Sequence, residues 1–100
     1  MANSKVATHH HHLSETDRFL LDLLSQFCVK ARCSNWENSS HDNDIEAVGL
    51  LNRLSQELSH REYRSLMSAW SDVRLTGSDT TLLQAEEAIT QRIQGQSEAF

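Results

Sequence analysis

Two cysteines, Cys28 and Cys33, and two histidines, His41 and His60, are the side chains beyond the N-terminal stretch whose types could bind zinc or exchange electrons. Structural zinc sites bring ligands together in C-x2-4-C pairs and in His pairs three to five residues apart. Here four, seven and eighteen residues intervene between successive members of the set. On a helix, positions five apart point about 140° away from each other, so Cys28 and Cys33 suit neither a shared metal nor an intrahelical disulfide. Cys28 is expected in the core and Cys33 at a helix end, both as thiols. No metal site and no cofactor is assigned. The run His9 to His12 reads first as an affinity tag or a native tail and only then as a metal-binding tract, and is left out of the fold.

Catalytic constellations are no better supported. The many serines include none in a strand-turn-helix elbow, no histidine has a neighbour that would orient it, and Glu86 and Glu87 occupy adjacent helix positions that do not converge. The chain is therefore read as a non-enzyme. Arg61 and Arg64, at the start of a helix that follows another closely, could suggest a recognition helix. However, residues 43–75 sum to a charge of -1 and the whole chain to -5, with 14 acidic against 9 basic side chains, where phosphate binding needs clustered Lys and Arg. Arg61 and Arg64 are expected to pair with Glu57, Glu62 or Asp72 instead, and no nucleic-acid partner is assigned.

The elements that must position any functional surface are helical. A chain of 100 residues allows one domain, and three Gly with no Pro leave few of the turn residues that sandwiches, phosphate cradles or Rossmann units use. Ser14 caps a first helix toward Cys33, with Asp17 in its first turn. Phe19, Leu20, Leu21, Leu23, Leu24, Phe27, Cys28 and Ala31 spread over roughly 200° of this helix, with Val29 outside, against the ~100° stripe that one neighbour requires. A polar loop from Ser34 to Asn43 follows. The second helix opens at Asp42 or Asn43 with an Asn43–Glu46 capping box, and aligns Ala47, Leu51, Leu54 and Leu58, with Val48 and Leu50 widening the stripe. Gly49 falls on its polar side.

Ser59 and Glu62 form the next capping box. Tyr63, Leu66, Met67, Trp70 and Val73 then mark a third helix ending near Thr76, with Gly77 as a left-handed cap. A fourth starts at Ser78 or Asp79, buries Leu82, Ala85, Ile89 and Ile93, and stops at Gly95. The expected organisation is an all-α, small four-helix bundle over residues 14–95, flanked by a flexible tail at 1–13 and a frayed one at 96–100. No run of 18 apolar residues occurs to span a membrane, and Met1 to His12 lacks the apolar core of a signal peptide. The expected location is cytoplasmic, so the Asn38-Ser39-Ser40 acceptor triplet is discounted.

The remaining signal is apolar crowding. Only 38% of residues are hydrophobic, yet they concentrate on the first helix. Either that helix is the centre of a monomeric bundle, or a second copy or another protein completes its face. The second alternative leads to a homodimer through the first helix that acts on a protein partner. Leu20, Leu24 and Phe27 would cover the partner's apolar surface, with Trp36, Tyr63 and Trp70 as candidate aromatic anchors. Tyr63 and Trp70 also fit the core stripe of their helix, and Trp36 could fold over the bundle end. By fold-level analogy to small helical antiactivators, the partner is a bacterial transcription factor whose dimerisation or DNA binding is blocked. The alternatives are a metal- or redox-responsive protein using His41, His60 and the cysteines, and a DNA-binding helical repressor.

Overall fold

Ser14, in extended backbone geometry, accepts a 3.0 Å hydrogen bond from the Asp17 amide, and α1 (Glu15–Arg32) starts from this cap in the computed structural model, which describes residues 13–34 and 41–98. Glu15 and Asp17 in the first turn and Lys30 and Arg32 in the last complement the helix dipole. Leu20, Leu23, Leu24, Phe27, Cys28 and Ala31 are buried. At 100° per residue they fill about 140° of the helix. That is narrower than the apolar arc of the sequence, because Phe19 is half exposed and Leu21 only partly buried.

The second helix, α2 (His41–Ser55), begins before either expected start. Asn43 therefore lies inside the first turn rather than at a cap, and its amide donates across to Lys30 O at 2.9 Å and Ser34 Oγ at 2.8 Å. The helix also ends sooner than its apolar line. The chain turns after Ser55, with the Leu58 amide still donating to Leu54 O at 2.9 Å, so Leu58 is buried from the turn. Ala47, Leu51 and Leu54 complete that stripe, whereas Val48 is 45% exposed and does not widen it.

In α3 (His60–Thr76) the expected capping box is present: Ser59 Oγ accepts from the Glu62 amide at 3.1 Å, and the Ser59 amide donates to Glu62 Oε1 at 3.0 Å. Gly77 closes the helix at φ 78°, a conformation that a Cβ would strain, and its amide donates to Val73 O at 2.8 Å. The last helix, α4 (Thr80–Glu98), buries Leu82, Ala85, Ile89 and Ile93 as expected. It runs through Gly95 rather than stopping there, so the predicted frayed end begins inside the helix.

The short links make successive helices antiparallel neighbours. Helix α1 contacts all three others, α3 touches every other helix, and α2 and α4 do not meet. The centre of the wide apolar arc of α1 is thus covered from within the chain, with Phe19 left at its margin, and one cluster of buried side chains from all four helices forms the core. Among the described residues, ion pairs cross each outer seam of the bundle: Lys30–Glu46 (2.7 Å) between α1 and α2, Asp44–Arg74 (2.9 Å) between α2 and α3, Glu62–Arg92 (2.6 Å) between α3 and α4, and Arg32–Glu86 (3.7 Å) between α4 and α1. Such partly exposed pairs add little energy each, but they fix the register in which the helices meet.

Candidate interaction surface

The residues assigned to partner contact divide by location. Leu20, Leu24 and Phe27 lie in the intramolecular core, with Phe27 fully buried. Its ring meets Trp70 edge to face, centroids 5.9 Å apart at 83°. Tyr63 and Trp70 are partly buried against the same core. Trp36 lies outside the described residues. Contacts within the chain therefore account for the burial of the α1 residues, and the apolar side chains left at the surface are different ones: Phe19, Val29, Ile45, Val48, Met67, Leu75 and Leu83.

Helix geometry turns two of these, Val48 and Met67, toward one seam. The Asp44–Arg74 bridge marks the α2–α3 seam, Val48 stands one turn on from Asp44, and Met67 stands two turns before Arg74. Both fall on the outer side of that seam, and Ile45 lies about 60° further round α2. Ile45 is 56% exposed, and Val48 and Met67 are 45% each. Beside Met67, Arg64, Ser68 and Ser71 line a shallow depression of about 300 Å³. Arg74 bridges the polar and apolar parts of the seam, since its guanidinium also lies over the Trp70 ring at 5.4 Å. The Trp70 Nε1 is buried without a hydrogen-bond acceptor. Periodicity put Met67 and Val48 on apolar stripes and so hid them. Reading how far each lay from the centre of its stripe was the signal that could have separated them.

At the end where α1 meets α2, Ser34 is fully buried and polar. Its hydroxyl lies 3.0 Å from Asp44 Oδ1 and 3.1 Å from Lys30 O, and also accepts from Asn43. One hydroxyl thus ties the last turn of α1 to the first turn of α2. At the opposite end Arg92 donates through Nε and Nη2 to both oxygens of Glu62, at 2.7 and 2.6 Å. These hydrogen bonds hold the Glu62 carboxyl below its ordinary range, and the Ser59 amide adds to the effect. A single carboxylate thereby caps α3 and clamps α4, in place of the expected pairing with Arg61 or Arg64.

The two thiols are free, Cys28 buried and Cys33 exposed. Burial above all, helped by the nearby Glu86 carboxylate and opposed by the charge of Arg32, pushes the Cys28 thiol up to about 12. A thiol held protonated in this way is a poor nucleophile and a poor metal ligand. His41 and His60 are exposed at the starts of different helices. Among the described residues no three His, Cys, Asp or Glu side chains converge to hold a metal ion, and no helix is long and apolar enough to cross a membrane.

A second groove follows the α1–α2 seam, about 330 Å³ in volume and lined by Gln26, Lys30, Glu46, Gly49, Leu50 and Arg53. Arg53 also covers the exposed Phe19 ring, 5.2 Å from its centroid. Both grooves are open surface features, suited to contact with a macromolecule rather than to enclosing a small substrate. No family model, no curated protein and no solved structure matches the chain.

Proposed function

We propose that the protein is a non-enzymatic helical regulator that acts by binding another protein, and that the outer α2–α3 face is its docking surface. The observation that carries this reading is the exposure of Val48 and Met67 at helix positions that turn toward the outer side of the Asp44–Arg74 seam, with Ile45 further round α2, while the centre of the crowded apolar face of α1 is used up in the core. The face suits an amphipathic helix of the partner: apolar side chains would cover Val48 and Met67, and an acceptor could reach the Trp70 N–H as the seam adjusts. An acidic chain with this face fits sequestration of a transcription factor, in which covering the factor's apolar dimerisation helix blocks dimerisation or DNA binding. The metal- or redox-responsive alternative draws no support from the protonated, buried Cys28.

Capture from the native cell with wild-type bait and with the Val48→Asp/Met67→Asp double variant tests the proposal. Both substitutions are at exposed positions, so the two baits should share helicity and melting temperature. Stoichiometric recovery of a protein by the wild type and its loss with the double variant is the expected result. Equal recovery by both baits overturns the assignment of the face.

A further inference from the structure

The α1–α2 groove has properties that the partner-binding face does not explain. Gly49 sits in the middle of α2, where glycine costs about 1 kcal/mol relative to Ala. Nothing inside the chain requires it: its backbone is ordinary helix, and a Cβ built there meets no atom within 4 Å. An exposed gap beside the groove, left at an energetically unfavourable residue, makes sense where something from outside approaches closely.

The charges around the gap say what approaches. On α1, Asp22 and Lys30 stand four residues to either side of Gln26, with Gln26 Nε2 donating to Asp22 Oδ2 at 2.7 Å. On α2, Glu46 and Arg53 stand three and four residues to either side of Gly49. The helices are antiparallel, and the Lys30–Glu46 bridge places those two residues at the same end of the groove. Asp22 and Arg53 occupy the other end. The four charges form a chequerboard, positive next to negative both along and across the helices.

A pattern of this kind is its own complement. A two-fold axis passing over Gln26 and Gly49 lays α1 antiparallel on its copy and α2 antiparallel on its copy. Asp22 then faces the second copy's Lys30, Glu46 faces its Arg53, and the two Gly49 positions meet at the closest point, where neither carries a Cβ. Leu50, partly buried in the groove floor, and Phe19, half exposed beneath Arg53, supply apolar area to the same face. A heterologous partner would need to match only one of these features. An isologous interface must match all of them to itself.

We infer that the α1–α2 groove is the interface for a second copy of this chain, with the helices crossing at Gly49. The inference goes beyond the partner-binding reading and uses a different face, so either can fail without the other.

Sedimentation equilibrium of the full chain from micromolar to millimolar concentration tests it. The wild type should reach twice the 11.4 kDa chain mass. The association should weaken as salt rises. Gly49→Leu fills the gap and should return the protein to chain mass with its helicity intact. The double variant Lys30→Glu/Glu46→Lys keeps the bridge within each chain but sets like charges against each other across the two-fold, so it too should be monomeric. Adding Asp22→Lys/Arg53→Glu restores the chequerboard with inverted signs and should restore the dimer. A wild type that stays at chain mass throughout, or a dimer indifferent to Gly49→Leu and to the double swap, overturns the inference. A double swap that dimerises while Gly49→Leu does not would overturn the crossing geometry, because it places α1 against the copy's α2.

Discussion

Phe27 on α1 and Met67 on α3 are both large apolar residues on apolar helical stripes, yet Phe27 has no solvent exposure and Met67 keeps 45%. The difference lies in what surrounds each helix. Helix α1 packs against all three other helices, so a stripe too broad for one neighbour is filled from within across its centre. At the α2–α3 seam no further helix lies outside among the described residues, and the side chains at the stripe margins, Val48 and Met67, keep 45% exposure each. Apolar crowding along a helix thus marks the centre of a bundle, and a sparser apolar margin can mark its contact surface.

The largest effects should come from the α1 side. Phe27→Ala removes a fully buried ring and its edge contact with Trp70, so urea denaturation should show a loss of about 3–5 kcal/mol. A loss below about 1 kcal/mol would show that α1 is not the packing centre and would remove the contrast between the two regions. Below this in size stands Ser34→Ala. Removing a buried hydroxyl that joins Lys30, Asn43 and Asp44 should cost about 1–3 kcal/mol and should loosen the α1–α2 end first. Amide exchange should accelerate at the first turn of α2 while the α3–α4 end stays protected.

Glu62→Ala sharpens the comparison at the opposite end, because it breaks a cap and a clamp at once. A loss of about 1–2 kcal/mol is expected at neutral pH, the partly exposed Arg92 limiting the charge contribution. The sign of its pH dependence follows from the depressed carboxyl. The folded state holds Glu62 ionised where the unfolded chain would already bind a proton, so its contribution is full above the ordinary carboxylate range. It fades as pH falls through that range and below, and the wild-type and variant curves should converge in acid. Curves that stay parallel to low pH would show that the clamp does not depend on charge.

How far these features were legible in the sequence follows from their range. The Ser14 cap, the Ser59–Glu62 box, the Gly77 cap and the apolar line of α4 are local, set by residues three or four apart, and each appears where its spacing places it, whereas the α3 line keeps Leu66 and Val73 in the core, adds Ala69 and leaves Met67 exposed. The start of α2 was misplaced because Asn43, a good cap by type, has donors that Ser34 and the Lys30 carbonyl recruit from another helix. Gly95 reads as a stop, yet α4 passes through it. The division of the apolar residues between core and surface was the least legible feature. Leu24 and Val48 differ in exposure through which helices pack beside them, and single-helix periodicity records that only as distance from the centre of the stripe. The α1–α2 chequerboard was hidden for the same reason, since Lys30 and Glu46 are sixteen residues apart in the chain and 2.7 Å apart across the seam.

The smallest expected effect tests the comparison most directly. If Val48 and Met67 lie outside the core, truncating them leaves no cavity, because the removed atoms already faced water and no packed shell surrounds the space they vacate. The Val48→Ala/Met67→Ala double variant should therefore stay within about 0.5 kcal/mol of wild type for each site, with an unchanged dependence on denaturant. Alanine is the better helix former at both positions, which offsets part of even that small loss. A larger loss would mean that the two side chains reach inward and contribute to the core that Phe27 anchors, and the α2–α3 face would lose its claim as a docking surface. Stability kept while binding is lost would separate the two roles: α1 holds the fold together, and the margins of α2 and α3 do the recognising.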